Sequence, residues 1–294
     1  MGQTAFLAAL LAIVLSLLSQ RLQARLRTTL HRRPATLWIA PLALTAVFAA
    51  ASWEARAFSV PLTLLVLAYT LVPVLIAFVQ GQAMAPRPTA LDFAGILALW
   101  LPIEFAAGGQ LVPRAVQGFL HSVAYGIAIV LGLVMWTGFR AFDGMKYHLP
   151  RARRDFWLPL AGFALVAPVL AVVGIAVGFI PPPHLPVQSA GRMAAAVGIV
   201  YVGTALPEEI LFRALIQNML MQRFGSGTRT LLVASFIFGC AHLDNGPQPL
   251  PNWRYMILAT IAGVAYGKVF RKASSVLSSA GLHMLVDWTK HFFF

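Results

Sequence analysis

Charge is scarce in this chain. Of 294 residues, 11% are Asp, Glu, Lys or Arg, against roughly a quarter in a soluble domain. Only 9 residues are acidic. Such a composition, with 59% hydrophobic residues, excludes disorder, which goes with high charge and few apolar residues. It equally excludes an ordinary soluble fold. Cysteine is almost missing: Cys240 stands alone, so no internal disulfide framework exists. Absent too are Gly-x-Ser-x-Gly and His-Glu-x-x-His, the marks of the serine-hydrolase elbow and the soluble zinc protease. There is no repeat of fixed period and no low-complexity tract.

What is present is apolar sequence, with a mean hydropathy of +0.78. About 20 apolar residues cross a bilayer as a helix. Runs near 4–19, 35–53, 58–80, 92–107, 116–138, 157–181, 193–221, 229–243, 254–270 and 274–292 meet or approach that length. They predict an all-α, multi-pass integral membrane helical bundle of about 8–10 transmembrane helices, with ten preferred. The first run has no basic segment before it and no small-residue cleavage site after it, so it reads as an uncleaved anchor with its N-terminus outside.

The basic excess follows from that topology. The chain carries 22 Lys and Arg and a formal net charge of +13. With ten spans, sixteen of these residues fall in cytoplasmic loops, among them Arg21, Arg25, Arg27, Arg32 and Arg33. Five lie opposite (Arg56, Arg114, Arg192, Arg254 and Lys290), and Arg213 is left inside a span. That bias fits the positive-inside rule and removes the need for a nucleic-acid partner. The expected location is a bacterial cytoplasmic (inner) membrane, and one expected partner is the lipid bilayer itself.

Two segments divide the chain. The longest polar stretch, Phe139 to Phe156, separates two halves, and Pro181-Pro182-Pro183-His184 is a connector that cannot be helical. Residues 1–180 read as N-terminal transmembrane helices of unknown role, and 190–294 as a core in which ionisable groups recur inside spans. In that core Gly263 and Gly267 form a small-xxx-small pair suited to close helix packing.

Ionisable residues within a span are costly and point to function. Pro207-Glu208-Glu209-Ile210-Leu211-Phe212-Arg213 is the densest group. Adjacent carboxylates diverge by about 100° on a helix, so they are expected to serve different partners. Glu209 and Arg213 have the spacing and order of an intrahelical ion pair. That leaves Glu208 to face a cavity as a general base. Phe238 and His242 share a face of the eighth run, and His283 and Asp287 share one on the last. At about 1.5 Å per residue, His283 lies roughly 14 Å from the cytoplasmic side, with His242 and Glu208 about 20 Å from it. One shared site is feasible. Its residues suit either water activation by Glu208 and a neutral imidazole, or zinc held by His242, His283 and Glu208 with an open position. Both chemistries lead to hydrolysis within the membrane.

Other polar residues read more plainly. Glu104 and His121 are candidates to pair with each other. Asp92 reads as a helix N-cap or first-turn acid. His31, His148 and His184 are assigned to loops, Lys290 and His291 to a Phe-rich interfacial anchor, and Cys240 to the core.

At these motifs the sequence resembles the CPBP family of intramembrane proteases, which includes the type 2 CAAX prenyl endopeptidases and the bacterial Abi or bacteriocin-immunity proteins. The family pattern, Glu-Glu-x-x-x-Arg, Phe-x-x-x-His and His-x-x-x-Asn, reads here as Glu208-Glu209 to Arg213, Phe238 to His242 and His283 to Asp287. The resemblance spans roughly Met193 to Phe294. It implies an endopeptidase acting on a membrane-associated protein or peptide. Glu208 and His242 would activate water, Arg213 would hold the acidic pair, and His283 with position 287 would stabilise the oxyanion. It implies either a glutamate mechanism or a metalloprotease using a divalent metal such as zinc. The departure is Asp287, because an ionised Asp accepts hydrogen bonds and donates none. That departure is the main argument for the alternative, a non-catalytic immunity or scaffold protein of the same fold. A proton-coupled transporter ranks last, since the polar residues gather in the final third and not in both halves.

Overall fold

The computed structural model describes residues 2–82, 87–246 and 248–294. Among them no strand occurs, and every apolar run of the sequence is a helix. In chain order the helices are α1 (Gly2–Ser16), α2 (Gln20–Arg32), α3 (Pro34–Glu54), α4 (Val60–Gln80), α5 (Ala90–Glu104), α6 (Arg114–Phe139), α7 (Arg154–Ala176), α8 (Ala190–Phe224), α9 (Thr228–Cys240), α10 (Trp253–Lys272) and α11 (Val276–Phe293). The chain is an all-helical integral membrane protein.

Five helices, α3, α4, α6, α7 and α8, are long and apolar enough to cross a bilayer. A sixth span arises if α1 and α2, bent by 87°, are counted as one. Fewer helices qualify than the eight to ten expected, for two physical reasons. Helices α1 and α5 have 15 residues each and α9 has 13, short of about 20. Helices α10 and α11 have length but carry charge, including Lys268, Arg271 and Lys272 on one and Asp287 and Lys290 on the other.

Contacts divide the chain into two compact units, Met1–Asp143 and Gly144–Phe294, within the polar stretch between Phe139 and Phe156. In the first unit α1 packs on α6 and α4 on α5. Asp92 closes the start of α5 as expected: its Oδ2 accepts from the Thr89 N–H at 2.9 Å in a capping box. The same carboxylate is held by Arg140, Nε to Oδ1 at 2.9 Å, with both side chains buried. Glu104 accepts from the Trp100 indole at 2.7 Å, and His121 is exposed. His31 is not a loop residue but ends α2, half-buried.

In the second unit α9 and α10 form the tightest pair, and α7 packs on α10 and α11. Gly263 and Gly267 make the α9–α10 approach possible. A Cβ on Gly263 would come within 3.3 Å of Ser235, and one on Gly267 within 2.5 Å of both Leu231 and Gln217. Lys146, in the connection before α7, caps the end of α10 by donating to the carbonyls of Phe270, Arg271 and Ala273 at 2.7, 3.2 and 2.9 Å. Cys240 is half-buried at the end of α9, not in the core.

Candidate active site

Pro207 shapes the helix that carries the paired acids. Its missing N–H and ring clash disturb the turn before it, and α8 widens into π-helical turns at Tyr201–Ala205 and Ile210–Gln217. Only Leu206–Glu209 between them is α-helical. Such bulges recur at functional sites because they re-aim side chains. Here the α-helical turn presents both acids toward α11.

Glu209 and Arg213 form the expected i,i+4 pair, Nε to Oε2 at 3.2 Å, with neither side chain exposed. The guanidinium also donates to Gln217 Oε1 at 3.4 Å, and Gln217 Nε2 donates to the Gly267 carbonyl at 3.1 Å. Its centre stands 4.9 Å over the Phe238 ring and 5.8 Å from that of Tyr266, so aromatic faces cover what the carboxylate does not.

His283 on α11 joins the acids. Its Nδ1 lies 3.2 Å from Glu209 Oε1, and its Nε2 lies 3.8 Å from Glu208 Oε2 and 3.3 Å from Asp287 Oδ2. The adjacent carboxylates therefore do reach one partner, contrary to their divergence on an ideal helix. Glu209 lies at hydrogen-bond distance of Nδ1, whereas Glu208, on the Nε2 edge, is within ion-pair range only, and the close partner of Nε2 is Asp287. A neutral ring has one N–H, so contacts to Glu209 and Asp287 together require the imidazolium or a proton on Asp287. Tyr266 stacks on His283 with centroids 4.5 Å apart.

His242, just past α9, is buried. Its Nδ1 lies 2.8 Å from the Phe238 carbonyl, which can only accept, so that nitrogen carries the proton and Nε2 is left as a lone-pair site. The Phe238 and Tyr255 rings meet it edge-on at 4.7 and 4.5 Å. His242, His283, Asp287, Tyr255, Tyr266 and Lys290 line a cavity of about 80 Å³. One water needs about 10–15 Å³ of such space, so several fit.

Lys290 belongs to this cavity and not to an interfacial anchor. Its Nζ stands 4.7 Å over Phe179 and 4.4 Å over Tyr255. With Arg213, and with His283 when that ring is the imidazolium, it sets positive charge near the carboxylates of Glu208, Glu209 and Asp287, a balance that buried charge requires. Sequence reading missed Lys290, Tyr255, Tyr266 and Gln217. The i,i+3 spacing from Asp287 marks Lys290, but the aromatic residues carry no signal short of the tertiary fold.

The residues do not fit a metal in this arrangement. Among the described residues no group of three or more His, Cys, Asp or Glu is placed to hold one. Of the set His242, His283 and Glu208, both His283 nitrogens already face carboxylates.

The fold and site together define a helical membrane protein with a Glu, His and Arg cluster beside a cavity that has room for several waters. Residues 190–289 match the family model described as Type II CAAX prenyl endopeptidase Rce1-like, about a third of the chain and the part that carries the cluster. No curated protein and no solved structure matches the chain.

Proposed function

We propose that this protein is an intramembrane endopeptidase that hydrolyses a peptide bond of a membrane-associated protein or peptide. The carrying observation is the convergence of Glu209 and Asp287 on His283, with Glu208 3.8 Å from the same ring, beside a cavity with room for water that His242, His283 and Asp287 line. In this reading Glu208 takes a proton from water while His242 Nε2 positions it. The hydroxide adds to the carbonyl carbon, and the oxyanion forms against the positive charge of His283 and Lys290. When the C–N bond breaks, Glu208 returns the proton to the leaving amine. Arg213 holds Glu209 ionised, and Glu209 and Asp287 orient His283. Asp287 thus gains a role as acceptor, which weakens the case for a non-catalytic scaffold. The words prenyl endopeptidase in the family description favour a lipid-modified C-terminal tail as substrate. The bacterial inner membrane and an N-terminus outside are part of the proposal and rest on the distribution of Lys and Arg between the apolar runs alone.

The test compares membrane-proteome N-termini in cells making wild type or Glu208→Gln at equal levels. Glutamine keeps the shape and removes the base, so termini present with wild type should vanish with the variant. Identical profiles in cells shown to contain folded protein would overturn the proposal in favour of the scaffold reading.

A further inference from the structure

No residue of the first unit enters the proposed chemistry, and within that unit helix α2 is unlike the others in composition. It turns by 87° from α1, which at 15 residues is about 22 Å long. Of its residues Arg21, Arg25, Arg27 and Arg32 are basic, Arg33 follows at once, and none is acidic. At 100° per residue, Arg21, Arg25 and Arg32 fall within about 40° of one another. Leu26 and Leu30 lie on the other side and close on Gly138 at the end of α6, where a Cβ would approach them to 3.0 and 2.9 Å. Arg27 ties the helix down by donating to the Thr137 carbonyl at 3.4 Å. Arg21, Arg25, Arg32 and Arg33 are exposed, and among the described residues none of the four is in an ion pair. Asp92, an acid of the same unit, is taken up by Arg140.

A helix pinned by its apolar side across the end of a membrane bundle, with an unneutralised row of arginines on the other, lies in the headgroup layer. We propose that α2 is an interfacial helix whose Arg21, Arg25, Arg32 and Arg33 bind the phosphates of anionic phospholipids, seating the first unit in the membrane. Arginine suits this role because its guanidinium pairs with phosphate through two parallel hydrogen bonds.

The experiment uses the purified full chain in mixed micelles of maltoside with phosphatidylglycerol or phosphatidylcholine, reading retained lipid by native mass spectrometry and Tm by thermal scan. Wild type should retain phosphatidylglycerol preferentially. The preference should fall about fivefold for each arginine removed and be lost in the R21Q/R25Q/R32Q/R33Q variant. R56Q/R114Q, which removes exposed arginines at the opposite helix ends, should leave it intact. Unchanged selectivity in the fourfold variant would overturn the proposal. So would a wild-type preference that persists in about 1 M NaCl, where the screening length is about 3 Å; this arm needs no variant to fold. An equal Tm shift from inorganic phosphate would show an anion site and not a lipid surface, and would also overturn it. None of these readouts involves cleavage.

Discussion

Glu209 has no exposed surface and faces the Arg213 guanidinium and the His283 imidazole. Removing either partner leaves a charge stranded away from water, which costs about 3–5 kcal/mol in buried pairs. Arg213→Ala should therefore lower stability by about that amount, read as a large drop in Tm of the purified protein. An unchanged Tm would mean the pair is not what holds α8. Asp287 permits a finer test. Asparagine keeps an oxygen that accepts from His283 Nε2, whereas alanine leaves that nitrogen without it. Losing a group that only orients another costs about 10–100-fold, so Asp287→Ala should cut the yield of cleaved termini that far and Asp287→Asn only a few-fold. Equal losses in both would make the negative charge, and not the accepted hydrogen bond, the property that matters. Much of this cluster was legible in the sequence: the i,i+4 spacing of Glu209 with Arg213 and of His283 with Asp287 is a local rule. That both acids meet one imidazole was not legible, because it depends on where α11 stands relative to a helix widened by Pro207.

At the scale of elements, the α9–α10 contact decides whether the cluster keeps its support. Gly267 sits where Gln217, the acceptor for Arg213, reaches the α10 backbone. A methyl there would meet Gln217 and Leu231 at 2.5 Å, whereas at Gly263 the nearest atoms are at 3.2 and 3.3 Å. Overpacking typically costs about 1–3 kcal/mol. Gly267→Ala should lie at the upper end and also reduce cleavage, by shifting Gln217. Gly263→Ala should be milder and leave cleavage near wild type. Thermal scans and terminal profiles of the two variants side by side check this; the reverse ranking would mean α10 moves as a body to relieve both. The pair was visible in sequence as a packing motif, but which glycine carries the functional load was not, since that follows from Gln217 crossing over from α8. Likewise the ten apolar runs marked every helix but α2, while run length could not separate spanning helices from short or polar ones that neighbours must cover. Lys290 was misread for the same reason: on a helical wheel it is a terminal cation, and only the approach of Phe179 and Tyr255 turns it inward.

For the whole molecule, the division between Asp143 and Gly144 bears directly on what the first unit is for. Every distance measured in the cluster joins residues of the second unit, and Lys146 and Ser275 tie its N-terminal connection to its own last helices: Lys146 caps α10, and the Ser275 hydroxyl donates to the His148 carbonyl. The second unit thus carries its own core, its own cap and the whole site. A chain cut at that boundary and made as two co-expressed pieces, 1–143 and 144–294, should assemble in the membrane and cleave, because the cut falls in polar sequence and severs no contact of the site. Residues 144–294 alone should insert with the Glu209–Arg213 pair intact, which the sensitivity of that piece to Arg213→Ala in thermal scans would report. If it inserts and keeps that sensitivity but produces no new termini, the first unit contributes to catalysis by delivering or seating the substrate. If it cleaves unaided, the first unit serves the membrane, in keeping with the arginine row of α2.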